Sequence, residues 1–275
     1  MGGSVAFVKS RIKCWPAIAF LAPAAAMAQI SVPGKLIDEH RAELGQTYGG
    51  VITVKNTSNQ RQEARVYQTD YITNADGTIN YDDPGTAPRS NARWVSVGSR
   101  VIVPAGLSVD VPYNVTVPAT PARSGTYWSM IMVETIPLGS PESSLPASRP
   151  SQIGVGLATR FRTGVQIVTH VGTLTPPAAA FESAKVQLSD TAKALVFDLR
   201  NSGEISFRAM LTLELYADDG AHVTTLTSQR GLLHPGLTLR QRFSLGQIKP
   251  GRYRAVVTAD LGGGTIIGAR YNFNL

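Results

Sequence analysis

The chain has 275 residues, a formal charge of +7 and a single cysteine, Cys14. That cysteine lies in the extreme N-terminal stretch, so disulfides, zinc–thiolate sites and cysteine catalysis are excluded for everything after it. The charges are scattered singly, with no basic run interleaved with aromatics, so no nucleic-acid role is expected.

Residues 1–28 have the makeup of a cleavable export signal. Lys9, Arg11 and Lys13 form a basic head, WPAIAFLAPAAA an apolar run, and Ala26-Met27-Ala28 a small-x-small cleavage site. The run is too short to span a bilayer, so no stable membrane insertion is expected after cleavage. Losing three cations and no acid takes the charge from +7 to +4. The remaining residues, about 247, are rich in short Val/Ile/Thr/Tyr runs cut by Pro and Gly, and no segment keeps a helical period for three turns. The expected class is all-β, with length for two domains.

Three patterns occur twice in the same order. VITVKNTSN (51–59) and LVFDLRNSG (195–203) alternate apolar residues and end at an Asn-containing turn. VPAGLSVDV (103–111) is echoed by HPGLTLRQR (234–242), each a turn feeding a strand. SGTYWSMIMVE (124–134) is echoed by PGRYRAVVTAD (250–260), each a Gly turn, a Tyr and a long apolar strand. Two units of about seven short strands suit immunoglobulin-like β-sandwich domains in tandem, with Tyr127 and Tyr253 placed for tyrosine corners. The expected domains are 29–172 and 173–275, joined near Pro176-Pro177 by a short stiff linker.

Catalytic signals are thin. His40, His170, His222 and His234 have no metal-ligand spacing, and there is no G-x-S-x-G elbow. NADGTINYDD (74–83) misses the calcium-loop register and reads as a hairpin turn, and LGGGT (261–265) as another turn. No metal, cofactor or enzyme activity is expected. RSNARW (89–94) is the most concentrated polar-aromatic patch. Arg89, Arg93 and Trp94 could bind an acidic or aromatic group; the favoured reading has Trp94 anchoring a crossing loop while the arginines stay solvated.

The Pro/Ser-rich segment PLGSPESSLPASRPSQ (137–152) leads into IGVGLATRF (153–161). There Ile153, Val155 and Leu157 share one face, and Gly154, Gly156 and Ala158 leave the other nearly bare. Such a strand either adds itself to a partner's sheet or uses its glycines for a bulge or close packing inside the sandwich.

The order of these features resembles the periplasmic chaperones of the chaperone–usher pilus pathway. SGTYWSMIMVETIP is similar to their penultimate strand, the segment after it to their variable loop, and IGVGLATRFRTGVQIV to their donor strand. The resemblance implies a periplasmic location, an exported β-rich subunit as partner, an outer-membrane usher, and Ile153, Val155 and Leu157 as donor residues. The family grips its subunit's terminal carboxylate with an Arg on the first strand and a Lys near the end of the donor strand. Here those places fall on His40 and Gln166, so Arg41, Arg160, Arg162 and Gln166 are the candidates for an anchor or cleft. The competing reading is a structural or adhesive surface protein whose paired sandwiches bind a partner protein or a cell-wall polymer.

Overall fold

The structure, a computed structural model, describes residues 29–120, 123–146, 160–189 and 192–275. The expected signal segment and the donor positions Ile153, Val155 and Leu157 lie outside the described residues.

Among the described residues, seventeen strands follow in chain order. The first ten are β1 (Ile30–Ser31), β2 (Ile37–Ala42), β3 (Thr47–Asn56), β4 (Gln62–Thr73), β5 (Ile79–Asp82), β6 (Val95–Val97), β7 (Arg100–Val103), β8 (Ser108–Thr116), β9 (Gly125–Ile136) and β10 (Arg162–Val171). A 3₁₀ turn, Ala92–Trp94, precedes β6. The remaining seven are β11 (Ala179–Ser189), β12 (Ala192–Asn201), β13 (Phe207–Ala217), β14 (His222–Leu233), β15 (Thr238–Ser244), β16 (Arg252–Asp260) and β17 (Ile266–Asn274).

They form two sandwiches. In the first, sheet β1-β3-β8-β6 faces sheet β2-β10-β9-β4-β5, with β7 also on β4. In the second, β11-β12-β15 faces β14-β13-β16-β17. The all-β tandem immunoglobulin-like class expected from strand spacing is the one observed.

Alternation decides which residues fill each core. On β3, Ile52 and Val54 are buried while Val51 and Lys55 are exposed. With Val66, Tyr113, Val115, Ile131 and Ile167 they make the first core. Leu195, Phe197, Leu199, Leu211, Leu213, Phe243 and Val257 make the second. Each such side chain contributes roughly 1.5–3 kcal/mol on burial.

The duplicated sequence patterns correspond to duplicated hydrogen bonds. Asn56 is fully buried; its Nδ2 donates to the carbonyls of Gln60 (2.7 Å) and Val103 (3.0 Å), and its Oδ1 accepts from the Ser58 N–H (2.9 Å). Asn201, also fully buried, repeats this with Ile205 and Leu233 (2.9 Å each) and the Gly203 N–H (2.9 Å). Each Asn therefore closes its own turn and ties it to the next loop. Both tyrosine corners are present: Tyr127 Oη donates to the Arg123 carbonyl (2.9 Å) and Tyr253 Oη to the Lys249 carbonyl (2.8 Å). The turn bonds Leu107 N–H to Pro104 and Leu237 N–H to His234 make Pro104, not Val103, the counterpart of His234. The NADG and LGGGT segments are both hairpin turns, between β4 and β5 and between β16 and β17.

Candidate functional site

β10 is the strand that IGVGLATRF runs into. It is antiparallel to β9, with Arg162 opposite Glu134 and Val171 opposite Gly125. On its other edge it is parallel to β2, and that pairing begins only at Gln166 opposite Ile37. Arg162, Thr163, Gly164 and Val165 therefore have a strand neighbour on one edge alone, among the described residues. The register carries residue 160 to Ile136, the last residue of β9, after which Pro137 has no N–H to offer. Phe161 makes the last pairing, accepting from the Thr135 N–H (3.0 Å) and donating its own N–H to Thr135 Oγ1 (2.9 Å).

Charged side chains fix the two ends of the segment between β9 and β10. Glu63, fully buried, accepts from Arg100 Nη1 (2.6 Å), the Ser144 N–H (2.8 Å), Ser144 Oγ (2.8 Å) and Ser143 Oγ (3.1 Å). Burial alone would raise its pKa, but these donors together hold it below the usual carboxylate value. Glu134, 6% exposed, accepts from Tyr67 Oη (2.8 Å) and Arg65 Nη2 (3.2 Å); burial pushes it up and those donors outweigh the push. Arg160 bonds Glu142 through both terminal nitrogens (3.1 and 3.0 Å) and lies 3.5 Å from Glu134. Arg162 sits 5.7 Å from the centre of the Tyr81 ring and beside Tyr67. Arg160 and Arg162 are thus engaged with acids and aromatic rings of the first sandwich.

The other side chains of interest lie between the sandwiches. On β2, Glu39 and Arg41 alternate with Asp38 and His40. Glu39 faces the second sandwich, where it pairs with Arg208 and lies 3.7 Å from His170 Nε2. The Arg208 hydrogen bond holds the Glu39 carboxyl below its usual value, while burial lowers the His170 pKa. His40 takes the opposite face, stacked on Tyr48 at 4.3 Å and 2.9 Å from Asp38. Thr169, not Gln166, is its neighbour on β10, so His40 and Gln166 do not meet. Arg41 is exposed and near His170. Gln166 is half-buried, and its N–H donates to the Leu36 carbonyl (2.8 Å).

Behind Glu39 the sandwiches are joined by a buried polar cluster. His234, 2% exposed, stacks on Trp128 with ring centres 4.4 Å apart and planes 4° from parallel. Its Nε2 is 2.7 Å from Tyr71 Oη and its Nδ1 2.7 Å from Ser206 Oγ. Burial pushes its pKa down to about 3, so the ring is neutral, donating through one nitrogen and accepting at the other. Two backbone bonds cross the junction: Thr126 N–H to Glu204 O and Arg240 N–H to Ala75 O, each 2.8 Å. The RSNARW segment contributes too. Trp94 packs on Tyr127 (4.6 Å), Asn91 Nδ2 donates to Thr169 Oγ1 (2.9 Å) and the Ile167 carbonyl (3.0 Å), and the Arg93 side chain covers Gly85. Arg89 departs from the solvated arginine of the sequence reading: its side chain is 15% exposed and pairs with Glu204 across the junction. The long-range partner, in a different sandwich, is what sequence neighbours could not reveal.

No protein-family model matches the chain, and no curated protein does. Solved structures similar to it include a chaperone–tip adhesin complex of CFA/I fimbriae biogenesis (TM-score 0.45, 12% identity, 89% of this chain and 98% of that chain). The class 5 fimbriae chaperone CfaA gives 0.44, with 12% identity, 88% and 98%. A structure of the Salmonella enterica SafA pilin in complex with the SafB chaperone gives 0.43, with 10% identity, 92% and 99%.

Proposed function

We propose that this chain is a non-catalytic periplasmic chaperone that holds an exported, β-rich pilus- or fimbria-like subunit by lending it a strand, ahead of transfer at an outer-membrane usher. The observation that carries this reading is the one-sided start of β10, whose residues 162–165 have a strand neighbour, among the described residues, only on the β9 edge, next to a register that runs out at Ile136. A free edge of that kind is a template for an added strand. Val165 and Ile167 of β10 face the first core. Ile153, Val155 and Leu157 share their odd-numbered parity, so an unbroken strand would carry all of them on one face. Inserted into a subunit that lacks one strand, the three would contribute about 5–9 kcal/mol of apolar burial, and the backbone would complete the subunit's sheet.

The test is co-expression with a candidate subunit. Ile153, Val155 and Leu157 all changed to Ser should leave the circular dichroism and melting of the isolated chain unchanged and abolish recovery of soluble subunit. Recovery at the wild-type level would overturn the proposal. Amide exchange over 153–161 gives a second readout: fast alone and slow with subunit supports lending, whereas slow exchange in the isolated chain means the strand is already paired.

A further inference from the structure

A cavity of about 500 Å³ opens where the two sandwiches meet, and the lending of a strand makes no use of it. Its polar lining is dominated by Arg89, Arg123 and Arg200; its apolar lining includes Trp128, Pro88 and Leu237. Three arginines lining one hollow need counter-charge, and the described residues supply little. Glu204 lines the same cavity but pairs with Arg89 Nη2. Glu182 lies 3.8 Å from Arg200, with both side chains about half exposed, where such a pair is weak. Arg123 makes no ion pair among the described residues; its backbone carbonyl is taken by the Tyr127 corner. Arg89 Nη1 is buried without a hydrogen-bond partner, an unusual state for a guanidinium donor. Burial lowers the Arg89 pKa, Tyr127 opposes that, and the neighbouring charge of Arg123 adds to the lowering.

We propose that this cavity binds an organic oxyanion: a carboxylate or phosphate held by Arg123 and Arg200, on an apolar body lying against Trp128, Pro88 and Leu237. Arginine forks match both oxyanions bidentately, and the low-polarity wall favours a ligand that is not charge alone. Residues from both sandwiches line the cavity, so a bound anion stabilises the junction by mass action. The charge could arrive on a free small molecule or on the headgroup of a lipid, and these are distinguishable.

The probes are phenyl phosphate, benzoate, inorganic phosphate, neutral phenol, and vesicles of phosphatidylglycerol in phosphatidylcholine, added to the full mature chain and followed by tryptophan fluorescence and melting temperature. Phenyl phosphate or benzoate should bind saturably and raise the melting temperature, with inorganic phosphate weaker and phenol without effect. The double variant R123A/R200A, which touches no bond between the sandwiches, should keep its circular dichroism and weaken binding by at least about tenfold. R252A, at the far end of β16 in the second sandwich, should bind as wild type. Binding by the aromatic anions without the vesicles assigns a free ligand, and binding to vesicles lost in R123A/R200A assigns a headgroup. Equal affinity for phenol, unchanged affinity in R123A/R200A, or no saturable binding of any probe would overturn the proposal.

Discussion

His234 shows how one buried side chain makes acid a stress on the molecule. It is enclosed by Trp128, Tyr71 and Ser206, and the charges of His170 and Arg208 add to the burial that keeps it neutral. Its folded pKa, about 3, lies below the 6.5 of a free histidine. As pH falls below 6.5 the unfolded chain takes up a proton that the folded chain refuses, so stability declines from about pH 6.5 down to pH 3. The full difference corresponds to about 5 kcal/mol. Chemical denaturation across that range should therefore show a downward slope that H234Q flattens. H234Q should also be less stable than wild type at pH 7, because the hydroxyls of Tyr71 and Ser206 lose matched partners. A slope unchanged by the substitution would assign the acid sensitivity to other groups. The place of His234 was marked in the sequence only as a difference: it stands where the first repeat has Pro104. Its role depends on Trp128 and Tyr71, which are far away in the chain, so no local pattern announces it.

At the scale of strands, periodicity and turn chemistry carried far, because alternation, Asn- and Gly-containing turns and tyrosine corners are local. They found β9 as a long apolar strand but not that all twelve of its residues are buried. Alternation gives it one core face through Ile131 and Val133, but Trp128, Met130 and Met132 face the other way, under Tyr71, Val168, Leu232 and Leu237. The sequence shows the apolar run and not its second cover, since that cover comes partly from the other sandwich. The acid clamp at the end of β9 was equally hidden. Glu63 stands in no motif of the sequence, yet it is a buried carboxylate satisfied by Arg100, Ser143 and Ser144. Its folded pKa lies below 4.5, so its contribution is present above pH 4.5 and lost as pH falls through the folded value. E63A removes every acceptor from the Ser144 N–H and Oγ at once. It should cost about 1–3 kcal/mol and speed exchange of the Ser144 amide, while amides in β13 and β16 keep their rates. Ser144 exchange at the wild-type rate would mean that the bonds to Glu63 do not hold this loop.

For the whole molecule, the question is what makes two sandwiches behave as one body. Two kinds of contact compete for that role. Ion pairs cross the junction at Arg208–Glu39 and Arg89–Glu204, and the stack of Trp128 on His234 sits behind them with Leu232 and Leu237. Arg208 is 42% exposed and Glu39 29%, a setting in which an ion pair contributes about 0–1 kcal/mol. Truncating a buried Trp costs about 3–5 kcal/mol. The apolar stack should therefore dominate coupling, with the ion pairs setting orientation. Glu39 adds a pH term of the same sign as His234: its pKa is lowered by Arg208, so its share is present above pH 4.5 and fades as pH falls through the folded value. Scanning calorimetry separates the contributions. Wild type should melt in one transition at neutral pH, R208A should shift it by only a degree or two, and W128A should split it into two, one for each sandwich. Solution scattering should follow the same order, with the largest dimension growing in W128A and hardly at all in R208A. If R208A splits the transition and W128A merely lowers it, the charges hold the junction and the stack belongs to the first sandwich alone.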